Sequence, residues 1–185
     1  ENMSGMFLGA KKFNQPLNNW NVSKVINMEY MFCGCKLFNQ PLNNWDTSNV
    51  ENMSCMFFET ENFNFPLNSW NVGNVIKMYS MFFEAESFNQ PLNNWNVSKT
   101  EKMIGMFEGA KSFNQDINNW NVSNVKNMSS MFCGAESFNQ SIENWTINKS
   151  CYIKDIFSSS YNDIKSILKI YFIAMAAKAS ATQLM

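Results

Sequence analysis

Large apolar residues recur along this chain at a fixed interval of 25 residues, with polar residues between them. The tryptophans show the period most clearly, since no insertion or deletion separates them: Trp20, Trp45, Trp70, Trp95, Trp120 and Trp145. A strict period of roughly 20–50 residues is typical of a solenoid, in which one supersecondary unit stacks on copies of itself. We therefore expect one elongated domain in which each coil contacts its neighbours.

The apolar pattern within one coil predicts two elements. In Leu67-x-x-Trp70-x-Val72, the last two apolar residues alternate with a polar one, which indicates a short strand. The apolar residues that follow have the spacing i, i+3, i+6, i+7 and i+10: Val75, Met78, Met81, Phe82 and Ala85. This spacing is typical of a short helix with one apolar face.

Residues suited to helix ends flank the predicted helix. Serines that favour helix N-caps precede it at Ser23, Ser48, Ser98 and Ser123. Glycines that favour C-caps follow it at Gly9, Gly34, Gly109 and Gly134. The predicted fold is α/β: a leucine-rich-repeat-like, right-handed solenoid with one short parallel strand and one short helix per 25-residue coil.

Columns of identical residues predict what lies inside the stack. We expect the Phe, Met and Trp columns to form the core, because a single coil could bury none of these side chains alone. An exposed row of tryptophans that stacks on sugars is the alternative. An asparagine column, which includes Asn14, Asn39 and Asn64, is expected to form a hydrogen-bonded ladder within the core.

The two ends of the chain differ from the repeat. We assign 1–157 to the solenoid, with about six full coils and a degenerate seventh, and 158–185 to a C-terminal capping helix and tail. Ile164, Ile167, Leu168, Tyr171 and Met175 have helical spacing. A partner-binding or membrane-surface helix is the alternative for this segment. We expect the open N-terminal end to be covered by missing repeats or by another chain.

Composition narrows the function classes. The formal net charge is −1 and only 16% of residues are charged, which argues against a nucleic-acid surface. The longest apolar run, near residues 170–177, is too short to cross a bilayer. The five cysteines follow no disulfide pattern and are expected to be free thiols in a reducing compartment. Cys33 and Cys35 could form half of a metal site, but the sequence contains no histidine and no second pair.

The repeat F-N-Q-P-L-N-N-W-N-V-S-N-V-x-N-M-x-x-M-F-x-G-A resembles that of the BspA-like leucine-rich-repeat surface proteins. The resemblance covers residues 1 to about 157. It implies a parallel sheet on one face of the solenoid, a role in adhesion or host interaction, and a location at the cell surface or outside the cell. An intracellular or virion location is the alternative.

Two surfaces could carry a function. The predicted helix face varies between coils, and we expect a protein partner to bind at Phe58, Phe83, Tyr79 and Leu8. The predicted strand face is rich in asparagine and could bind a glycan, although its amides could also pair with one another. We expect no catalytic residue, cofactor or metal, because the sequence has no phosphate-binding loop, nucleophile elbow or metal-spaced cluster.

Three function classes therefore remain open. The first is a non-catalytic scaffold for protein–protein interaction or adhesion at a surface. The second is a structural component of a larger assembly, such as a viral particle or cell envelope. The third is a carbohydrate-binding module.

Overall fold

A computed structural model describes residues 1–157 of the chain. The positions of the 25-residue repeat are numbered below from Glu1, so that repeat position 2 occurs at Asn2, Asn27 and every 25th residue thereafter. Successive coils stack on one another along the whole described range. The predicted helix within 158–185 lies outside the described residues.

The described residues contain no helix, and their only strand-like pairing is a column of isolated parallel bridges. These bridges join the residues at repeat position 2: Asn2, Asn27, Asn52, Lys77, Lys102, Asn127 and Tyr152. The prediction of an α/β leucine-rich-repeat solenoid, with a strand and a helix in each coil, is therefore wrong. The coils stack with the predicted period, but their backbone is built almost entirely from turns.

Tandem turns replace the predicted helix. In the fourth coil the amide of Met81 donates to the carbonyl of Met78, and the amide of Ala85 donates to that of Phe82. Each of these turns is closed by a hydrogen bond from the amide of residue i+3 to the carbonyl of residue i. The turns therefore repeat the i, i+3 spacing of a helix without forming one. Left-handed backbone at Ser80 and Glu84, with φ of 50° and 51°, interrupts any helical run. The apolar spacing was real, and its assignment to a helix was wrong.

Two further turns replace the predicted strand. The Trp70 amide donates to the Leu67 carbonyl at 3.0 Å, and the Val75 amide donates to the Val72 carbonyl at 2.9 Å. Trp70 and Val72 are both buried and Asn71 is exposed, so the alternation of side chains was predicted correctly. The backbone of this segment nevertheless curves through turns and makes no ladder with its neighbours.

Backbone hydrogen bonds between coils concentrate at repeat positions 1–9. In the first coil, the amides of residues 3, 5, 7 and 9 donate to the carbonyls of residues 27, 29, 31 and 33 over 2.7–2.9 Å. The same alternation recurs between later coils. The backbone amides that a helix would have used internally therefore bind the adjacent coil, which is why the stack holds together without regular secondary structure.

The core consists of parallel columns of rings. Phe57 stacks on Phe82 with ring centroids 5.6 Å apart, and within one coil the Phe82 and Phe88 centroids are 4.1 Å apart. The tryptophans form a third column, in which Trp45 and Trp70 are 6.1 Å apart and nearly parallel. Methionines at repeat positions 3 and 6 fill the remaining space. Trp45, Trp70, Trp95, Trp120 and Trp145 are buried, whereas Trp20 in the first coil is 39% exposed.

Side chains tie the coils together where the backbone ladder is absent. Each buried indole donates to a carbonyl of the previous coil; for example, Trp70 Nε1 donates to Leu42 O at 2.9 Å. The predicted asparagine ladder is also present, since Asn64 Oδ1 accepts the backbone amide of Asn89 at 2.9 Å. The ladder is exposed or half-buried and not part of the core, which corrects its predicted location.

Candidate functional site

The tandem turns form one face of the stack, which we call the turn face. It comprises repeat positions 4–9 of the first six coils, residues 4–9, 29–34, 54–59, 79–84, 104–109 and 129–134. Positions 6 and 7 point into the core in every complete inner coil, and positions 4, 5, 8 and 9 supply most of the outer surface. This surface corresponds to the predicted helix face, although it is made of turns.

The centre of the turn face holds a stacked aromatic pair. Phe58 and Phe83 occupy repeat position 8 of adjacent coils, with ring centroids 4.4 Å apart and an interplanar angle of 3°. Both rings are half-buried, so part of each remains in contact with solvent. The same column continues with Cys33 on one side and Glu108 on the other. The structure therefore brings together two of the four residues predicted to bind a partner.

The side chain of Tyr79, the third predicted residue, reaches across the neighbouring coil on the same face. Its hydroxyl donates to Glu29 Oε1 and lies 3.4 Å from the hydroxyl of Tyr30, both of which belong to the coil two repeats earlier. Burial raises the pKa of Tyr79 strongly, and the hydrogen bond to Glu29 adds to the shift. The Tyr79 phenol therefore stays protonated and acts as a donor at neutral pH.

Ser54 occupies the same repeat position as Glu29 and Tyr79, in the coil between them. Its hydroxyl oxygen is buried and has no hydrogen-bond partner among the described residues. A buried hydroxyl without a partner destabilises the fold by about 1–3 kcal/mol. The middle of the turn face thus combines exposed aromatic surface with an unsatisfied polar atom.

Leu8, the fourth predicted residue, lies in the first coil and is 59% exposed. Cys33 separates it from Phe58 in the position-8 column, so it is not part of the stacked pair. We name Phe58, Phe83, Tyr79 and Tyr30 the aromatic patch. Leu8 remains an isolated exposed residue near one end of the same face.

Sequence reasoning missed Tyr30 and Glu29. Their signal was present, because both replace small residues found at the same positions of other coils, such as Ser4 and Gly5. What could not be read from the sequence is that Tyr79 reaches across a whole coil to contact them. That contact depends on the outward direction of position 4, which only the turn geometry defines.

The second candidate surface is the asparagine-rich one, and many of its amide side chains form hydrogen bonds with other asparagines of the same surface. Asn18 Oδ1 accepts the backbone amide of Asn44 at 2.9 Å, and Asn68 Oδ1 accepts that of Asn94 at 3.0 Å. A shallow open cleft of about 470 Å³ lies on this side, lined by Asn118, Asn119, Trp120, Asn121, Ser123, Asn144 and Thr146. Trp120 is only 2% exposed, which leaves little ring surface on which a sugar could stack.

Residues 1–157 contain no group of three or more His, Cys, Asp or Glu that could hold a metal ion. All five cysteines are free, and burial raises the pKa of Cys35, Cys55 and Cys151 to about 11. These thiols are therefore poor nucleophiles at neutral pH. No helix within this range could cross a membrane.

Stacked 25-residue coils with a variable outer face define a repeat protein. The chain belongs to the family described as Mycoplasma protein of unknown function, DUF285, whose sequence model matches residues 1–86 and 66–169. Comparison with curated proteins gave no match, and comparison with solved structures gave none.

Proposed function

We propose that this chain is a non-catalytic repeat scaffold that binds another protein through the aromatic patch. The observation that carries the proposal is the stacked, half-buried pair of Phe58 and Phe83 on a face whose other coils carry smaller or polar residues at position 8 in most cases. Aromatic rings that are rigid, partly exposed and grouped are enriched in protein interfaces.

The rigidity of the surrounding coils supports this role. Each ring of the pair is attached to a coil whose amides are bonded to the neighbouring coil, as in the 2.9 Å bond from Phe57 N to Met81 O. A preorganised surface loses little conformational entropy on binding. The patch is therefore held ready for a partner by the same bonds that maintain the fold.

The cellular location is a separate part of the proposal. The repeat resembles that of BspA-like surface proteins, and this resemblance supports a place at the cell surface and a role in adhesion. Digestion of intact cells with an added protease tests it. A surface protein is cleaved while the membrane remains intact, and protection under those conditions would argue for the intracellular or virion alternative.

The binding role is tested by removing both rings without changing charge. The variant Phe58→Ala/Phe83→Ala is compared with Ile26→Ala/Ile76→Ala, which alters two residues that are 47% and 37% exposed, at repeat position 1. Each protein is used as bait in extracts of the cells that produce it, and captured proteins are quantified by mass spectrometry. Thermal unfolding verifies that both variants fold.

The proposal predicts a partner that wild type and the isoleucine variant retain and that the phenylalanine variant loses by tenfold or more. Equal capture by all three proteins would overturn the aromatic patch as the binding site. Loss from both variants to the same extent would indicate general stickiness of apolar surface and would also overturn it.

A further inference from the structure

Charge is unevenly distributed around the stack. The chain has 14 basic and 15 acidic residues, yet the turn face contains Glu29, Glu59, Glu84 and Glu108 and no lysine. The face that carries the aromatic patch is therefore acidic although the whole chain is nearly neutral. Long-range attraction of a cationic partner to this face follows from that asymmetry.

Two of these carboxylates lie close together beside the aromatic pair. Glu84 leans over the next coil, where its Cγ would be 2.9 Å from a Cβ placed on Gly109. Glu108 folds back over Gly105, with Oε2 2.9 Å from a Cβ placed there. Burial raises the pKa of Glu108, and the nearby charge of Glu84 raises it further. A cation between them would relieve this repulsion.

Two lysines that lie near these carboxylates form ion pairs with other acidic residues. Lys36 is paired with Glu61, and Lys111 is paired with Glu86 at 2.7 Å. The pKa of Lys36 is raised mainly by its hydrogen bond with Glu61, with smaller contributions from the charges of Glu59 and Glu84. Within residues 1–157, Glu59, Glu84 and Glu108 form no direct ion pair, and the charges of Lys36 and Lys111 act on Glu84 only from beyond ion-pair distance.

Glu29 differs from the other three because it accepts the hydroxyl of Tyr79. Among the described residues, the acids of the turn face without an ion pair or side-chain hydrogen bond are therefore Glu59, Glu84 and Glu108. They adjoin Phe58 and Phe83 in sequence or in the position-8 column. We call these three residues the acidic rim. A cation at this rim can contact a carboxylate and an aromatic ring together, and both interactions are favourable.

We propose that the partner docks through a lysine- or arginine-bearing apolar segment of polypeptide. Its cationic groups lie against the acidic rim and its apolar side chains cover Phe58 and Phe83. This inference rests on the proposed function, since it names the chemistry of the segment that the aromatic patch binds.

A labelled peptide of alternating lysine and leucine tests the inference by fluorescence anisotropy against the full chain. Two peptides of equal length, one of glutamate and leucine and one of lysine and serine, separate the charge requirement from the apolar requirement. The proposal predicts that the lysine–leucine peptide binds at least tenfold more tightly than either. Equal binding of the lysine–serine peptide would reduce the effect to charge alone and overturn it.

Matched protein variants locate the binding. Glu59→Gln/Glu84→Gln/Glu108→Gln removes the acidic rim, and Glu51→Gln/Glu136→Gln/Glu143→Gln removes three exposed acids at other repeat positions. We expect the first variant to weaken binding of the lysine–leucine peptide tenfold or more and the second to change it less than twofold. Equal weakening by both, or no binding to wild type, would overturn the inference.

The same glutamine variants distinguish this inference from the binding role itself. If the rim variant retains a cellular partner that Phe58→Ala/Phe83→Ala loses, the binding role stands and the cationic segment is wrong. If the phenylalanine variant retains every partner, both are wrong.

Discussion

The indole Nε1 of Trp70 donates a hydrogen bond of 2.9 Å to the carbonyl oxygen of Leu42, in the preceding coil. The equivalent bond recurs for Trp45, Trp95, Trp120 and Trp145, each time 28 residues back. Each tryptophan therefore contributes an aromatic ring to the core and a polar bond to the neighbouring coil. The second contribution explains why tryptophan, and not phenylalanine, occupies this column.

Replacing this indole separates the two contributions. We expect Trp70→Phe to destabilise the fold by about 0.5–1.5 kcal/mol, because the Leu42 carbonyl loses the hydrogen bond from the indole but keeps the one from the Trp45 amide. Trp70→Ala should cost about 3–5 kcal/mol, since it also leaves a cavity. Urea unfolding followed by circular dichroism measures both changes.

Trp20→Phe is the matched control, because Trp20 is 39% exposed and makes no equivalent bond within the described residues. It should change stability only slightly. A cost below 1 kcal/mol for Trp70→Ala would contradict a core role for the ring.

Because the backbone at repeat position 9 is left-handed, replacing a glycine there by alanine should destabilise the fold. Gly34 has φ of 72°, and an added Cβ would lie 3.5 Å from the Gly9 Cα and 3.7 Å from the Gly9 nitrogen, which are ordinary contacts. Gly34→Ala therefore isolates the backbone strain and should cost about 1–2 kcal/mol. Gly73→Ser serves as control, because other coils carry serine at that repeat position. It should be near neutral in the same unfolding assay, and an equal cost at both sites would argue against strain.

The exposed asparagine ladder should contribute measurable stability. Asn64 Oδ1 accepts both the Asn89 amide and the Gln90 side chain at 2.9 Å. Asn64→Ala should lose about 0.5–1.5 kcal/mol for each of these hydrogen bonds. Hydrogen exchange of the Asn89 amide should become faster. Asn94→Ala removes an exposed amide for which no side-chain bond is seen in the described range, and it should leave both readouts unchanged.

Buried thiols predict a loss of stability at alkaline pH. Burial raises the pKa of Cys35 from 9.0 to about 11, so the folded state favours the protonated thiol. The stabilisation is complete below pH 9 and disappears as pH rises through 11, because the unfolded chain loses this proton first. Guanidinium unfolding between pH 8 and 11 should show a shallower decline for Cys35→Ala than for wild type.

Thr60→Ala controls for the hydrogen bond that Cys35→Ala also removes. Thr60 occupies the same repeat position, and its hydroxyl donates to Phe32 O at 3.1 Å, as the Cys35 thiol donates to Phe7 O at 3.0 Å. Because threonine does not titrate, Thr60→Ala should lower stability equally at every pH. A decline unaltered by Cys35→Ala would exclude this thiol as a source of the alkaline effect.

The period and the buried positions could be predicted from sequence because each depends only on which residues are apolar. Val75, Met78, Met81, Phe82 and Ala85 are all buried, as their spacing indicated. Spacing alone does not distinguish a helix from successive four-residue turns that close between residues i and i+3. Glycines at positions 5 and 9, such as Gly105 and Gly109, carried the missing signal, because two left-handed residues four apart are incompatible with a continuous helix.

Candidate site residues were predictable only in part. Phe58 and Phe83 stood out as large apolar residues at a variable position, and they stack. The contact of Tyr79 with Glu29 was not predictable, because it joins residues 50 apart through a geometry that the expected helix would not produce.

The alternating backbone bonds between coils have a consequence for how such a gene can change. Every donor meets its acceptor at a fixed separation of about one repeat, so excision of residues 76–100 would join each remaining donor to an equivalent acceptor. Whole coils can thus be gained or lost by in-frame recombination, because the backbone hydrogen bonds between the coils on either side form again. Such an event would preserve the architecture while discarding Phe83, Tyr79 and Glu84, so the composition of the turn face can change by whole coils while the backbone bonds between coils stay the same.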